Sequence, residues 1–448
     1  MPKKPMPAPT LDEVFDRVGR ERLGEVLLKT RGVDGISPGG KYRHWDTLRH
    51  LRPPAGLSHE EWWASIKLSR ASSFRQLPLR DVGGHPFVYG TPDQVLELLH
   101  YIDHRASGEV AMPEVLADSA GARKRFLQSS LIEEAIRSSQ LEGAATSRKV
   151  ARDMLRSGRP PRTHGERMIL NNFRALEFIR EQVGEPLTPG LIFALHRIVS
   201  EGTSENPNAA GRLQRPDEDR VSVFDLTGEI LHVPPPAEQL PDRLDELCRF
   251  ANGEGADQGF LHPVIRAILL HFWVGFDHPF EDGNGRTARA LFYWSMKRSG
   301  YWLTEYLSIS RILREAPGQY VSSYLYTESD ERDTTYFLLY QLEVIRRSIE
   351  ELYAYLASKT AEIREVEQII RQSRRFNHRQ LALLADAVRH ADRQYTFASH
   401  ARSHDVTYQT ARTDLLELRE LHLLRLERVG RKFLFSPASD LAERLGEN

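Results

Sequence analysis

The segment Pro263 to Phe276, PVIRAILLHFWVGF, is apolar around nearly its whole circumference. It runs, with only Asp277 between, into HPFEDGNGRTAR, residues His278 to Arg289. A helix that is hydrophobic on all sides has to be buried, so this one is read as the central element around which the others pack. Gly283-Asn284-Gly285 then breaks the helix, and helical patterning resumes over Thr287 to Arg298. The expectation is a mainly α fold built on a buried helix, a tight glycine turn and a second helix.

The surrounding pattern agrees. Ser130 and Glu133 have the spacing of a capping box, followed by Leu131, Ile132, Ala135 and Ile136 at helical intervals. This helix is expected over about 126–143, ending near Gly143. Arg159-Pro160-Pro161-Arg162 reads as a loop. Ile169, Phe173, Leu176 and Ile179 share one helical face. Thr188 caps a further helix with Pro189 in its first turn, burying Ile192, Leu195 and Val199. Between Val221 and Val233 the period changes to that of a β-hairpin turning near Gly228, closed by Pro234-Pro235-Pro236. Leu338, Leu342, Ile345, Ile349, Leu352 and Leu356 alternate steps of four and three. They form the seam of one long helix, suited to packing within a domain, to a homodimer or to a connector.

The His278 segment carries chemistry. Glycines before a helix let backbone N–H groups approach an anion, and the helix N-terminus favours negative charge. Arg286 and Arg289, three residues apart, share a face and suit a polyphosphate. Asp282 can hold Mg²⁺, which is commonly bound by one carboxylate plus phosphate oxygens. His278 can take a proton near neutral pH, and Phe280 anchors the loop. Two cations oppose the dipole of the helix they begin. A local rule broken without evident benefit points to function.

These residues resemble the signature of the Fic family, His-x-Phe-x-Asp/Glu-Gly-Asn-Gly-Arg-x-x-Arg, at every defined position, and the similarity in organisation covers roughly Met112 to Ser348. The resemblance implies a helical core and transfer of AMP from ATP to a Ser, Thr or Tyr hydroxyl of a protein. His278 would be the base and Asp282 the Mg²⁺ ligand. Gly283, Asn284 and Gly285 would cradle the α- and β-phosphates, with Arg286 assisting and Arg289 on the γ-phosphate. The hairpin, with Val221, Val223, Ile230 and His232, resembles the family's flap, which receives the target as an added strand. Tyr320 or Tyr324 would pack near the adenine or in the core. A phosphotransferase branch has lysine where this chain has Gly285, so glycine supports AMP transfer. Ser138 to Gly143, SSQLEG, resembles the family's inhibitory pattern. Glu142, with Ser138 at the pattern's first position, would pair with Arg289 and withhold it from ATP. The same glutamate in some members helps remove AMP, so deAMPylation is implied as well.

The remainder is read from pattern alone. The 448 residues suit roughly two to four domains. The division expected is 1–110, of unclear role, a Fic domain over 111–350, a connecting helix over 351–375, and 376–448. Tyr42, Trp45, Trp62 and Trp63 in the first part read as core or a docking surface. The order helix (His378 to Arg389), strand (Tyr395-Thr396-Phe397), short helix, helix (about Thr407 to Glu420) and two strands around Gly430 is that of a winged helix. Thr407, Tyr408, Gln409, Arg412 and Thr413 would face DNA, with Arg428, Arg431 and Lys432 on the wing. Asp405, Asp414, Glu417 and Glu420 dilute that charge, and protein contact is the other use of such a module. A nucleotide-sensing, DNA-binding transcriptional regulator is the alternative to an enzyme. A net charge of -1 provides no global field for nucleic acid or membrane. A single cysteine, Cys248, excludes an internal disulfide framework. With no spanning apolar run and no apolar core in the N-terminal MPKKPMPAPT, a cytoplasmic protein is expected.

Overall fold

The computed structural model describes residues 4–30, 36–107, 120–224, 228–254, 259–373, 375–390, 393–429 and 432–446. They form two compact units, residues 1–110 with 129–349, and residues 111–128 with 350–448.

The first unit opens with α1 (Leu11–Val18), α2 (Arg20–Thr30), α3 (Trp45–Leu48) and α4 (His59–Ala71). Capping boxes at Thr10/Glu13 and Ser58/Glu61 start α1 and α4. Trp45, Trp62 and Trp63 are core, packed with Val26, Leu48 and Ile66. The hairpin β1 (Arg75–Arg80) and β2 (Pro86–Tyr89) and helix α5 (Asp93–Ala106) follow.

Residues 1–110 were expected to be a body of their own, but they are part of the same unit as 129–349. The cause is a buried polar network. Lys67 Nζ lies 2.7 Å from Asp330 Oδ1 with both side chains buried. Tyr336 donates to Asp330 at 2.7 Å. Arg70 donates to the Tyr336 hydroxyl at 2.8 Å and lies 3.5 Å over the Tyr42 ring. The Val88 carbonyl of β2 also accepts from Thr334 N at 2.8 Å. Removing one partner of a buried ion pair costs about 3–5 kcal/mol. Lys67→Met is therefore expected to lower the stability of this unit by about that amount. Tryptophan fluorescence in urea reads it cleanly, because all six tryptophans lie in this unit.

The site-bearing part continues with α6 (Ala120–Leu141), α7 (Arg148–Ser157), α8 (His164–Glu181) and α9 (Pro189–Ser200). The helix starts earlier than the expected 126, and Ser130 and Glu133 do not cap it. The helix already runs from Ala120, and Glu133 serves as a mid-helix partner for Arg137 at 2.8 Å and Arg148 at 2.7 Å. Thr188 caps α9 through Leu191 N, and Ile192, Leu195 and Val199 are buried as expected. The hairpin β3 (Val223–Phe224) and β4 (Ile230–His232) pairs Val223 with His232 and Phe224 with Ile230. It is shorter than Val221 to Val233, and residues 225–227 of its expected turn lie outside the described residues.

Next come α10 (Leu240–Asn252), the central α11 (Pro263–Asp277), α12 (Asn284–Arg298), α13 (Ile309–Glu315) and α14 (Pro317–Ser329). In α11, Val264, Ala267, Ile268, Leu270 and Phe272 are fully enclosed. The long helix α15 (Thr335–Gln372) is continuous through the expected boundary at 350, and its buried seam of Leu342, Ile345, Ile349, Leu352 and Leu356 runs across it. Residues 351–372 are thus the second half of α15, and they cluster with 376–448.

The second unit contains α16 (His378–Arg389), α17 (Phe397–His404), α18 (Tyr408–Glu420), the hairpin β5 (Leu424–Val429) and β6 (Lys432–Pro437), and α19 (Leu441–Gly446). Its core is Ile370, Leu383, Leu384, Leu415, Leu418 and Phe435. Of the strand expected at Tyr395-Thr396-Phe397, only Tyr395 pairs, with Phe435. Thr396 is instead the cap of α17 and Phe397 its first residue. Gly430 and Arg431 lie outside the described residues. Among those residues no helix is long and apolar enough to cross a membrane.

Candidate active site

Helix α11 ends on His278, whose backbone is left-handed (φ 45°, ψ 52°) with its N–H bonded to Val274 O at 3.1 Å. That turn ends the helix and leads into the glycine loop. Its Nδ1 lies 3.3 Å from Gly275 O. A carbonyl only accepts, so Nδ1 carries the proton and Nε2 keeps a free lone pair. Burial pushes the imidazole down to about 4. The ring is therefore neutral at pH 7, the form a general base requires.

The turn after His278 is rigidly made. Asn284 does not present its side chain to a ligand; its Oδ1 accepts from Phe280 N at 2.9 Å and its Nδ2 donates to Phe280 O at 2.8 Å. Phe280 is fully buried and stacked on His196 at 3.7 Å. His196 of α9, which sequence reasoning missed, accepts from Gly211 N at 2.9 Å through Nδ1 and so donates through Nε2 to Asp282 O at 2.8 Å. Gly283 has φ +82°, and a Cβ there would press on Val199. These contacts leave the backbone N–H groups at the start of α12 as the free donors of the turn.

Arg286 and Arg289 are both buried. Arg286 donates to Val199 O at 3.1 Å and to Asp282 Oδ2 at 2.9 Å. Arg289 donates through Nε to Ser138 Oγ at 2.8 Å, and through Nη2 to Ser138 O at 3.1 Å and Glu142 Oε1 at 2.8 Å. Its Nη1 is buried with no hydrogen-bond partner. A Cβ at Gly285 would collide with the Glu142 carboxylate and come within 3.0 Å of Arg289 Nη1. The carboxylate thus lies over the glycine turn itself, an anion held on an anion-binding surface. Ser138, Glu142, Gly285 and Arg289 are brought together.

Glu134, also missed, holds the helix whose end leads into Glu142. Its buried carboxylate accepts from Ser308 Oγ at 2.8 Å and Ser310 N at 3.2 Å, both at the start of α13. Its signal is weak in sequence, because an acid inside a helix usually faces water.

Asp282 has a half-exposed side chain. No group of three or more His, Cys, Asp or Glu capable of holding a metal occurs among the described residues. One carboxylate beside an anion cradle is the donor set of an ion that keeps its waters and takes further ligands from phosphate. The residues present fit Mg²⁺ arriving with a nucleotide.

On the hairpin, Ile230 and Phe224 are exposed, while Val221 and Val223 are partly covered. His232 was expected on the docking face but is buried, bonded to Phe276 O and Glu328. Residues 230–233 line one wall of a 790 Å³ groove whose other wall includes residues 4–10. Tyr320 bonds His271 at 2.9 Å and Tyr324 stacks on Phe272 at 5.1 Å, so both pack against α11.

Residues 186–296 match the model of the Fic/DOC family. The chain is 28% identical over 215 residues to protein adenylyltransferase Fic of Nematostella vectensis, which covers 46% of this chain and 45% of that protein. It is 40% identical over 70 residues to protein adenylyltransferase Fic of Drosophila melanogaster, 16% of this chain and 14% of that one. The chain thus spans less than half the length of these relatives. In fold it is similar to a Fic family protein of Desulfovibrio desulfuricans G20, with a TM-score of 0.52 at 17% identity over 78% of this chain and 97% of the other. A variant of Fic-1 from C. elegans aligns at a TM-score of 0.50 and 18% identity, over 78% of this chain and 90% of the other. The His278 to Arg289 site lies inside the region, residues 186–296, that matches the Fic/DOC family.

Proposed function

We propose that the chain transfers AMP from ATP to a hydroxyl of a protein, itself included, and that Glu142 holds this activity off. The observation that carries the reading is the arrangement at Gly285. A buried guanidinium with one unpartnered nitrogen lies beside a glycine turn, with an internal carboxylate over both. A phosphate chain carries the same charge as that carboxylate and needs the same donors. In the reaction, His278 Nε2 takes the proton of the target hydroxyl as its oxygen attacks the α-phosphorus. The bond from that phosphorus to the bridging oxygen of the β-phosphate breaks, and pyrophosphate leaves. The backbone donors at 283–285 and Arg286 stabilise the charge on the α- and β-phosphates, and Arg289 holds the γ-phosphate. Asp282 would hold Mg²⁺, which neutralises phosphate charge when bound. The exposed hairpin edge with Ile230 would receive the target as an added strand. The test is incorporation of label from α-labelled ATP by Glu142→Gly.

One observation favours a second activity alongside the enzyme. Asp414, an acid expected to weaken a nucleic-acid face on α18, is buried and paired with Arg379 at 2.7 Å and His400 at 3.1 Å. Thr407, Tyr408, Gln409, Arg412 and Thr413 are all exposed. We read the second unit as a winged helix whose α18 contacts DNA, with protein contact as the other outcome. A gel shift on genomic fragments is expected to show a salt-sensitive complex that Arg412→Ala weakens by about 1–3 kcal/mol. No shift at low salt would leave protein contact.

A further inference from the structure

The last carbonyls of a helix have no partner within it and carry its negative end. At the end of α11 these are the carbonyls of Phe276, Asp277 and His278, the backbone on which the base stands. All three accept hydrogen bonds from the feet of the hairpin. Arg220, just before β3, donates to His278 O at 2.9 Å and to Asp277 O. Its Nε donates to Pro235 O at 2.8 Å, so it also ties the foot before β3 to the foot after β4. His232, on β4, lies with Nε2 2.7 Å from Phe276 O and Nδ1 2.9 Å from Glu328 Oε2. Both ring nitrogens therefore face acceptors only, and only an imidazolium can donate to both.

We propose that Arg220 and His232 are positioning residues for the transfer reaction: two cations at the feet of the hairpin that clamp the backbone of His278 to the strand on which a target would lie. The inference rests on the AMP-transfer reading of this site. The clamp has two effects. It fixes the base relative to the bound target, where a displacement of about 1 Å is worth roughly 100-fold in rate. It also sets positive charge beside His278, which opposes protonation of the base. Arg220 and His232 both act on His278 in this sense, beyond the larger effect of burial. The groups facing His232 are Glu328 from α14, and Asp277 and the His278 ring at the end of α11. Burial, the largest effect, opposes its charged form, but Glu328, the Phe276 carbonyl and Asp277 favour it, and its affinity for a proton is raised. Composition gives no hint of this clamp, since a lone arginine or histidine beside a strand is ordinarily a surface residue.

The test uses the full chain with Glu142→Gly as parent, ¹³C-labelled at histidine. Arg220→Met, His232→Asn, Glu328→Gln and the charge-keeping Arg220→Lys are compared. NMR titration of the His278 ring is expected to move from well below 6.5 toward 6.5 in Arg220→Met and His232→Asn, and to stay low in Arg220→Lys. Self-labelling from α-labelled ATP is expected to fall roughly 10- to 100-fold in Arg220→Met, Arg220→Lys and His232→Asn. The Kd for MgATP should stay within about two-fold, a split that general unfolding would not produce. An unchanged His278 titration together with unchanged labelling overturns the proposal, as does a loss of labelling matched by loss of MgATP binding. If Arg220→Met or His232→Asn fails to fold, Arg220→Lys and Glu328→Gln decide by the same measurements. If the parent itself takes up no label, the AMP-transfer reading fails, while the NMR titration still decides the clamp.

Discussion

Replacing Glu142 by glycine is expected to raise ATP-dependent self-labelling roughly 10- to 100-fold. The scale follows from the contact removed. A charge-assisted hydrogen bond to a buried group is worth about 1.5–3 kcal/mol, and each 1.4 kcal/mol is a factor of about ten in the population competent for ATP. The substitution is local, because Glu142 lies just past the end of α6 at Leu141, so glycine there breaks no helix. It also leaves Ser138 bonded to Arg289, which keeps the guanidinium aimed at the turn. The variant should gain more thermal stability from MgATP than the wild type, since the γ-phosphate then supplies the anion that Arg289 has lost. Rates of label uptake measured side by side read the effect, and equal uptake by both proteins would remove Glu142 from any inhibitory role.

Replacing His278 by alanine in that active background is expected to lower labelling by about 100- to 10,000-fold, the usual contribution of a positioned base. Nucleotide binding should survive, because the phosphate donors are the backbone of 283–285 and the two arginines. His278 holds a left-handed backbone conformation, which alanine adopts at some cost. His278→Asn is the matched control, since asparagine tolerates that conformation. Both variants should bind MgATP and label equally poorly. Labelling retained in His278→Asn would assign the proton transfer to another group.

The His278 to Arg289 loop was legible because its parts are contiguous: histidine, carboxylate, glycines and arginines fall within twelve residues. The Glu142 contact was legible for a different reason. A short local pattern marked it, although 147 residues separate it from Arg289. What sequence could not show was partnership between remote residues that carry no pattern. His196 and Arg220 bond to the backbone of the His278 loop, Glu134 ties α6 to the start of α13, and each is the sort of residue a surface uses freely. The Asn284 side chain shows the same limit within the motif, since only the structure reveals that it locks the loop through Phe280. The same holds for Glu133, which by spacing could close a cap with Ser130 or pair with Arg137 inside the helix. The boundary at 110 failed because buried pairs such as Lys67–Asp330 cross it, whereas the units do divide at 350, within one continuous helix.

The central claim is that this site moves AMP, and that Glu142 restrains it. The most direct measurement incubates Glu142→Gly with ATP labelled on the α-phosphate and, separately, on the γ-phosphate. Stable label on the protein from the α-position alone, absent in the additional His278→Ala variant, is the predicted result. Label from the γ-position, or none from either, would contradict it.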